Sequence, residues 1–171
     1  MSKLIYPLTE EVALQVASNL LPEDRREVEE GHGHDPKKVI PLASTIGDSV
    51  YFKVPNGEIA GAAGVHEDGQ IWMLCTPAIL KYPHTFARES KRYVESRKEK
   101  LLWNVVDKRN ALHLKLLRFL GFKFIREISY GPNNLSFIEF CRVQSISDGA
   151  GRIRSRSVRS APRGFSSQSK K

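Results

Sequence analysis

One α/β domain, built as a mixed sheet flanked by helices and followed by a basic extended tail, is predicted by three observations. Helical and strand periods alternate along residues 1–143. Two Asx-Gly pairs, Asn56-Gly57 and Asp68-Gly69, cut a strand-like stretch into a meander with tight hairpins. From residue 144 onward the apolar period stops, and arginines alternate with small polar residues.

The elements follow in order. "KLIYP" reads as a first strand. Thr9 then caps "EEVALQVASNLL", which carries acids in its first turn and an apolar stripe at Val12, Val16, Ala17 and Leu20. "PEDRREVEEG" predicts a second helix, with Pro22 near its first position and Gly31 as its stop. The following "GHGHDP" reads as a flexible loop. Three strands come next, "SVYFKVP", "EIAGAAGV" and "QIWMLCT". A helix over 83–98 has Phe86, Ser90, Tyr93 and Val94 on one face. "LLWNVV" is then a strand, and the crossover predicts that it lies parallel to "IWMLCT", with Trp72 and Trp103 filling the core between them.

"NALHLKLLRFLGFK" at 110–123 predicts the last helix. Asn110 is its N-cap, Leu112, Leu116, Phe119 and Leu120 form its apolar stripe, Lys115 and Arg118 lie near its negative end, and Gly121 is its left-handed stop. "FKFIREISY" and "LSFIEFCRV", joined at "GPNN", close the domain as an antiparallel pair.

Composition limits the function classes. A chain of 171 residues that is 40% hydrophobic and 27% charged can hold one core. Cys75 and Cys141 lie in apolar strands, which predicts buried thiols in a reducing compartment. No leader-like apolar region opens the chain, and no run approaches the roughly 18 apolar residues of a membrane span; a soluble protein is expected. Of the net charge of +8, +6 falls in residues 144–171, where Arg152, Arg154, Arg156, Arg159, Arg163, Lys170 and Lys171 face the single acid Asp148. The domain boundary is therefore set at 143. An arginine-rich extended segment can grip phosphates or an acidic protein groove, so these seven residues are the candidate contacts to DNA or a protein partner.

The element order over 1–143 resembles the GCN5-related N-acetyltransferase fold, most specifically through "LWNVVDKRNALHLKLLRFLGFKFIRE". "NLLPEDRREVEEGHGHDP", the meander, "IWMLCTPAI" and "LLWNVVDKRNALHLKLLRFLGF" together also resemble a family of small proteins of short-tailed bacteriophages, related to internal virion protein A and described as acetyltransferase-like. The first resemblance implies acetyl-coenzyme A, which would be met by Leu74, Cys75, Thr76 and Asn110. The second implies a structural or internal virion component, found in the particle and in the host cytoplasm, with other virion proteins as partners.

Two departures from the enzyme pattern favour the second. Where the acetyltransferases have a glycine-rich pyrophosphate loop, "TPAILKYPHTFARES" has no glycine and has prolines at 77 and 83. Where many carry a tyrosine that protonates the leaving thiolate, this chain has Leu117. His66, Glu67 and Asp68 are candidate bases that also suit a solvated turn. His32, His34 and Asp35 lack a third or fourth metal ligand at a recognisable spacing, and Cys75 lacks a basic neighbour in the local sequence. The sequence thus predicts a non-catalytic, acetyltransferase-like module without metal or resident cofactor; the alternative is an acetyl-coenzyme-A-dependent N-acetyltransferase made during infection.

Overall fold

A computed structural model describes residues 3–145. The tail candidates Arg152, Arg154, Arg156, Arg159, Arg163, Lys170 and Lys171 lie outside those residues. Strands β1 (Ile5–Pro7), β2 (Asp48–Lys53), β3 (Ile59–Val65) and β4 (Ile71–Cys75) form one antiparallel sheet in that order. Strands β5 (Leu101–Asp107), β6 (Lys123–Tyr130) and β7 (Leu135–Val143) form a second, in the order β5-β7-β6. Helices α1 (Glu10–Ser18), α2 (Pro22–Arg26), α3 (Pro36–Ala43), α4 (Pro83–Glu95) and α5 (Ala111–Phe119) complete the described elements, with a π-helical turn at Glu27–Gly31 and a 3-10 turn at Pro77–Lys81.

Most predicted elements form for the predicted reasons. The Thr9 hydroxyl accepts from the Val12 amide, and Val16, Ala17 and Leu20 are buried. Helix α4 buries Phe86, Ser90, Tyr93 and Val94. Phe52 on β2 is 1% exposed and meets Phe86 and Tyr93 edge-on, at ring-centre distances of 6.1 and 5.8 Å. Full burial of such a ring contributes about 1.5–3 kcal/mol.

The two strands expected to lie parallel do so, but among the described residues they share a single parallel bridge, Gln70 to Trp103, so the sheet is open between β4 and β5. Three expectations need correction. Because of that opening, Trp72 and Trp103 are half-buried instead of filling a closed core. The expected loop after Gly31 is short, because Asp35 caps α3 by accepting from the Lys37 amide, with Pro36 at its first position. In α5 the stripe is rotated: Leu112 and Phe119 are exposed, whereas His113 is buried.

Gly121 ends α5 with φ +84, and a Cβ there would stand 3.3 Å from Arg142 Nε. Gly121→Ala is expected to cost about 1–2 kcal/mol, since an L-residue resists the left-handed region. Urea unfolding should show this as a lower midpoint at unchanged slope.

Candidate functional site

The opening between the sheets begins just past the Gln70–Trp103 bridge. The Trp103 amide donates to Gly69 O at 3.1 Å, and Asn104 reaches across with its Nδ2 donating to Ile71 O at 2.7 Å. Farther along, the Cys75 amide donates to Asp24 Oδ2 at 2.7 Å, and the Cys75 carbonyl accepts from the Leu21 amide at 2.9 Å. Main-chain groups alternate in direction along an antiparallel ladder. Met73, midway between Ile71 and Cys75, therefore turns its amide and carbonyl toward the gap.

A cavity of 410 Å³ occupies this opening, with Met73, Glu27, His32, His34, His66 and His113 among its lining. A second cavity, of 320 Å³, lies between the 3-10 turn, α4 and α5, and is walled by Leu80, Pro83, Leu112 and Phe119, with His84 and Lys115 beside them. His113 and Leu116 line both.

A buried polar network supports the meeting point. Asp24 and Glu27 sit one helical turn apart on α2 and its π-helical extension, both facing inward. Gly31 closes that extension so tightly on β7 that a Cβ would stand 2.4 Å from the Phe137 ring. Asn110, 1% exposed, caps α5 by accepting from the His113 amide at 3.3 Å. Its Nδ2 also donates to Asp24 Oδ1 at 2.9 Å and to Glu27 Oε2 at 3.2 Å. His113 Nε2 lies 3.5 Å from Asp24 Oδ1 and 3.8 Å from Cys75 Sγ.

These surroundings set the protonation of the site. Burial pushes the Glu27 carboxyl up to about 7; attraction from His113 opposes the shift and the nearby Asp24 adds to it. Burial, then Asp24, pushes the Cys75 thiol well up. Burial also raises Asp107, at the end of β5, but the Arg109 side-chain and main-chain hydrogen bonds outweigh it and hold that carboxyl below its usual value. His32 is lowered by burial and by His34, and its Nδ1 lies 3.2 Å from the Tyr130 hydroxyl.

The residues singled out in the sequence are distributed unevenly around this centre. Leu74 lines the larger cavity. The Thr76 hydroxyl donates to Ile59 O and caps the 3-10 turn through the Ala78 amide. Cys75 and Asn110 are held within the buried network. Leu117 lines the larger cavity, as does His66; Glu67 is exposed and Asp68 closes its hairpin by accepting from the Gln70 amide. His32 and His34 stack with ring centres 6.2 Å apart, while Asp35 is occupied as a cap. Cys75 is buried, as expected, and has no basic neighbour in its local sequence, but His113 reaches it from a different element. Asp24, Glu27 and His113 were not foreseen; the acid pair at i and i+3 was the available signal for the first two.

No protein-family model and no curated protein sequence matches the chain. Solved structures do. An acetyltransferase of the GNAT family from Streptococcus pneumoniae is 13% identical, with a TM-score of 0.57 over 83% of this chain and 99% of that one. The spermidine N-acetyltransferase from Vibrio cholerae, in complex with CoA and spermine, is 10% identical, with a TM-score of 0.60 over 82% and 94%. The ribosomal-protein-S5-alanine acetyltransferase from Vibrio fischeri is 12% identical, with a TM-score of 0.57 over 83% and 93%. At such identities the likeness concerns shape alone: this chain has the fold of the GCN5-related N-acetyltransferases.

Proposed function

We propose that the protein transfers an acyl group from a coenzyme A thioester to an amine. The observation that carries this reading is that the cavity in the gap between β4 and β5 and the cavity between the 3-10 turn, α4 and α5 share His113 and Leu116 of α5 as lining. The smaller cavity is an apolar groove suited to a thin acyl-bearing arm, with Leu80, Leu112 and Phe119 as its walls. At its mouth the N-terminus of α4 has no side-chain cap, and with Lys115 and His84 nearby it suits phosphate groups. Bound there, the thioester would supply an activated acyl carbon.

The chain's own groups supply the rest. The Met73 amide is directed into the gap, where a carbonyl oxygen that gains charge needs a donor. The larger cavity takes the acceptor amine, and Glu27, which ionises near neutrality, takes its proton as nitrogen bonds to the acyl carbon and the thiolate leaves. Calorimetric titration with acetyl-coenzyme A should give a micromolar dissociation constant. Ligand at a hundredfold excess over that constant should stabilise the fold by about 2.7 kcal/mol. No heat and no thermal shift at millimolar ligand would overturn the reading.

One observation favours a second reading, a module that does not bind coenzyme A; the sequence resemblance alone suggests that such a module belongs to a short-tailed bacteriophage particle and docks on DNA or a virion protein through its tail. Between β4 and α4 the main chain forms a 3-10 turn carrying Pro77, without glycine, and α4 opens on Pro83, so fewer amides can wrap a pyrophosphate. Under that reading acetyl-coenzyme A does not bind, and purified virions contain the protein by mass spectrometry. The full chain would also bind DNA in a salt-dependent manner that a chain ending at 143 does not reproduce.

A further inference from the structure

We propose that Asp24, Cys75 and His113 form a binding site for a divalent metal ion of the zinc class. The inference goes beyond acyl transfer and does not rest on it. These three side chains come from α2, β4 and α5, all are buried, and one ligand atom of each lies within 4.8 Å of the others. Carboxylate, thiolate and imidazole together are the donor set of a borderline-soft cation.

The directions of the groups favour a shared ion over a catalytic relay. In a Cys-His-Asp relay the two imidazole nitrogens face different partners, one the sulfur and the other the carboxylate. Here the same atom, His113 Nε2, faces both Cys75 Sγ at 3.8 Å and Asp24 Oδ1 at 3.5 Å. One nitrogen cannot donate a single proton to both. A cation placed between them satisfies all three atoms at once. Ligand atoms on a tetrahedral zinc stand about 3.3–3.6 Å apart, given bonds of about 2.0–2.3 Å; His113 Nε2 is already close to that spacing from both partners, and the Cys75 sulfur and Asp24 carboxylate, within 4.8 Å, reach it by an approach of about an ångström at most.

The supporting shell is also in place. The Cys75 amide donates to Asp24 Oδ2 and Asn110 Nδ2 donates to Asp24 Oδ1, which orients the carboxylate while leaving lone pairs free for a metal. With the thiolate and the carboxylate bound, a divalent ion balances the buried charge. His113 lines both cavities, so the cluster borders them at this residue.

The test uses the full chain, without an affinity tag that binds metal. Purified protein should carry roughly one equivalent of zinc. Cobalt(II) substitution should produce a thiolate-to-metal charge-transfer band, absent in Cys75→Ser and retained in Cys141→Ser. Should Cys75→Ser fail to fold by circular dichroism, His113→Gln and Asp24→Asn serve instead, each expected to weaken zinc binding by about 100-fold or more in a chelator competition. A cobalt spectrum without the thiolate band, zinc affinity unchanged in His113→Gln, or no zinc binding up to millimolar concentration would overturn the proposal.

Discussion

Replacing Glu27 by glutamine is expected to lower acyl transfer by about 10²–10⁴-fold while making the fold more stable above neutral pH. The rate loss is that of removing a positioned base, because the amide keeps the shape of the carboxyl and cannot take up the proton. Wild-type kcat/KM should rise through about pH 7, where Glu27 ionises, and the variant should lack that limb. The stability change has the opposite sense. Glu27 ionises at about 7 in the folded state, against an ordinary value of 4.5. Between those values the folded protein holds a proton that the unfolded chain has released, so the stabilisation is complete below about 4.5 and is lost as pH rises through about 7. The loss is on the order of 3 kcal/mol. Chemical denaturation at pH 5 and pH 8 should show this slope in the wild type and a flatter one in Glu27→Gln. Equal activity of the two proteins at every pH would remove Glu27 from the chemistry, whatever happened to stability.

The division between what could and could not be read from the sequence follows contact distance along the chain. Thr9, Asp35 and Asn110 each accept from an amide two or three residues ahead. Capping is local chemistry, and Thr9 and Asn110 announce it in their own neighbourhoods. Asp35-Pro36 carries the same local signal for α3, next to the histidine-rich "GHGH". The site obeys different rules. Cys75 and Asp24 are 51 positions apart, Cys75 and His113 are 38 apart, and Asn110 and Asp24 are 86 apart. No period or spacing predicts such pairs; they exist because α2 and α5 both pack against the end of β4. The helical wheel of α5 failed at His113 for a related reason. The apolar stripe passes over this polar residue, whereas the fold buries it beside a carboxylate and a sulfur, where its polarity is matched. The parallel strands β4 and β5 stay joined at one bridge because the Asn104 side chain satisfies Ile71 O beside it and Asp24 and Leu21 satisfy the amide and carbonyl of Cys75, so the strands need not join beyond it.

Asn110→Ala should destabilise the fold by about 3–5 kcal/mol, more than the loss of a helix cap explains. The cap alone is worth about 1 kcal/mol. The larger part comes from the side-chain amide, whose two hydrogens meet Asp24 and Glu27, both buried carboxyls. Hydrogen bonds to charged groups contribute about 1.5–3 kcal/mol each, and leaving such a group unsatisfied has a similar cost. Asn110→Ser separates the two roles, since its hydroxyl caps the helix and is too short to bridge the acids. It should recover only about 1 kcal/mol relative to alanine. Asn110→Asp keeps the cap too, but brings a third carboxyl to Asp24 and Glu27 and should be no better than alanine at pH 8, improving as pH falls through about 7 and Glu27 takes up its proton. Equal stability of the serine variant and the wild type would mean that Asn110 acts only as a cap and that the acids are held apart by other groups. A deficit confined to the alanine and aspartate variants would lead to the same conclusion.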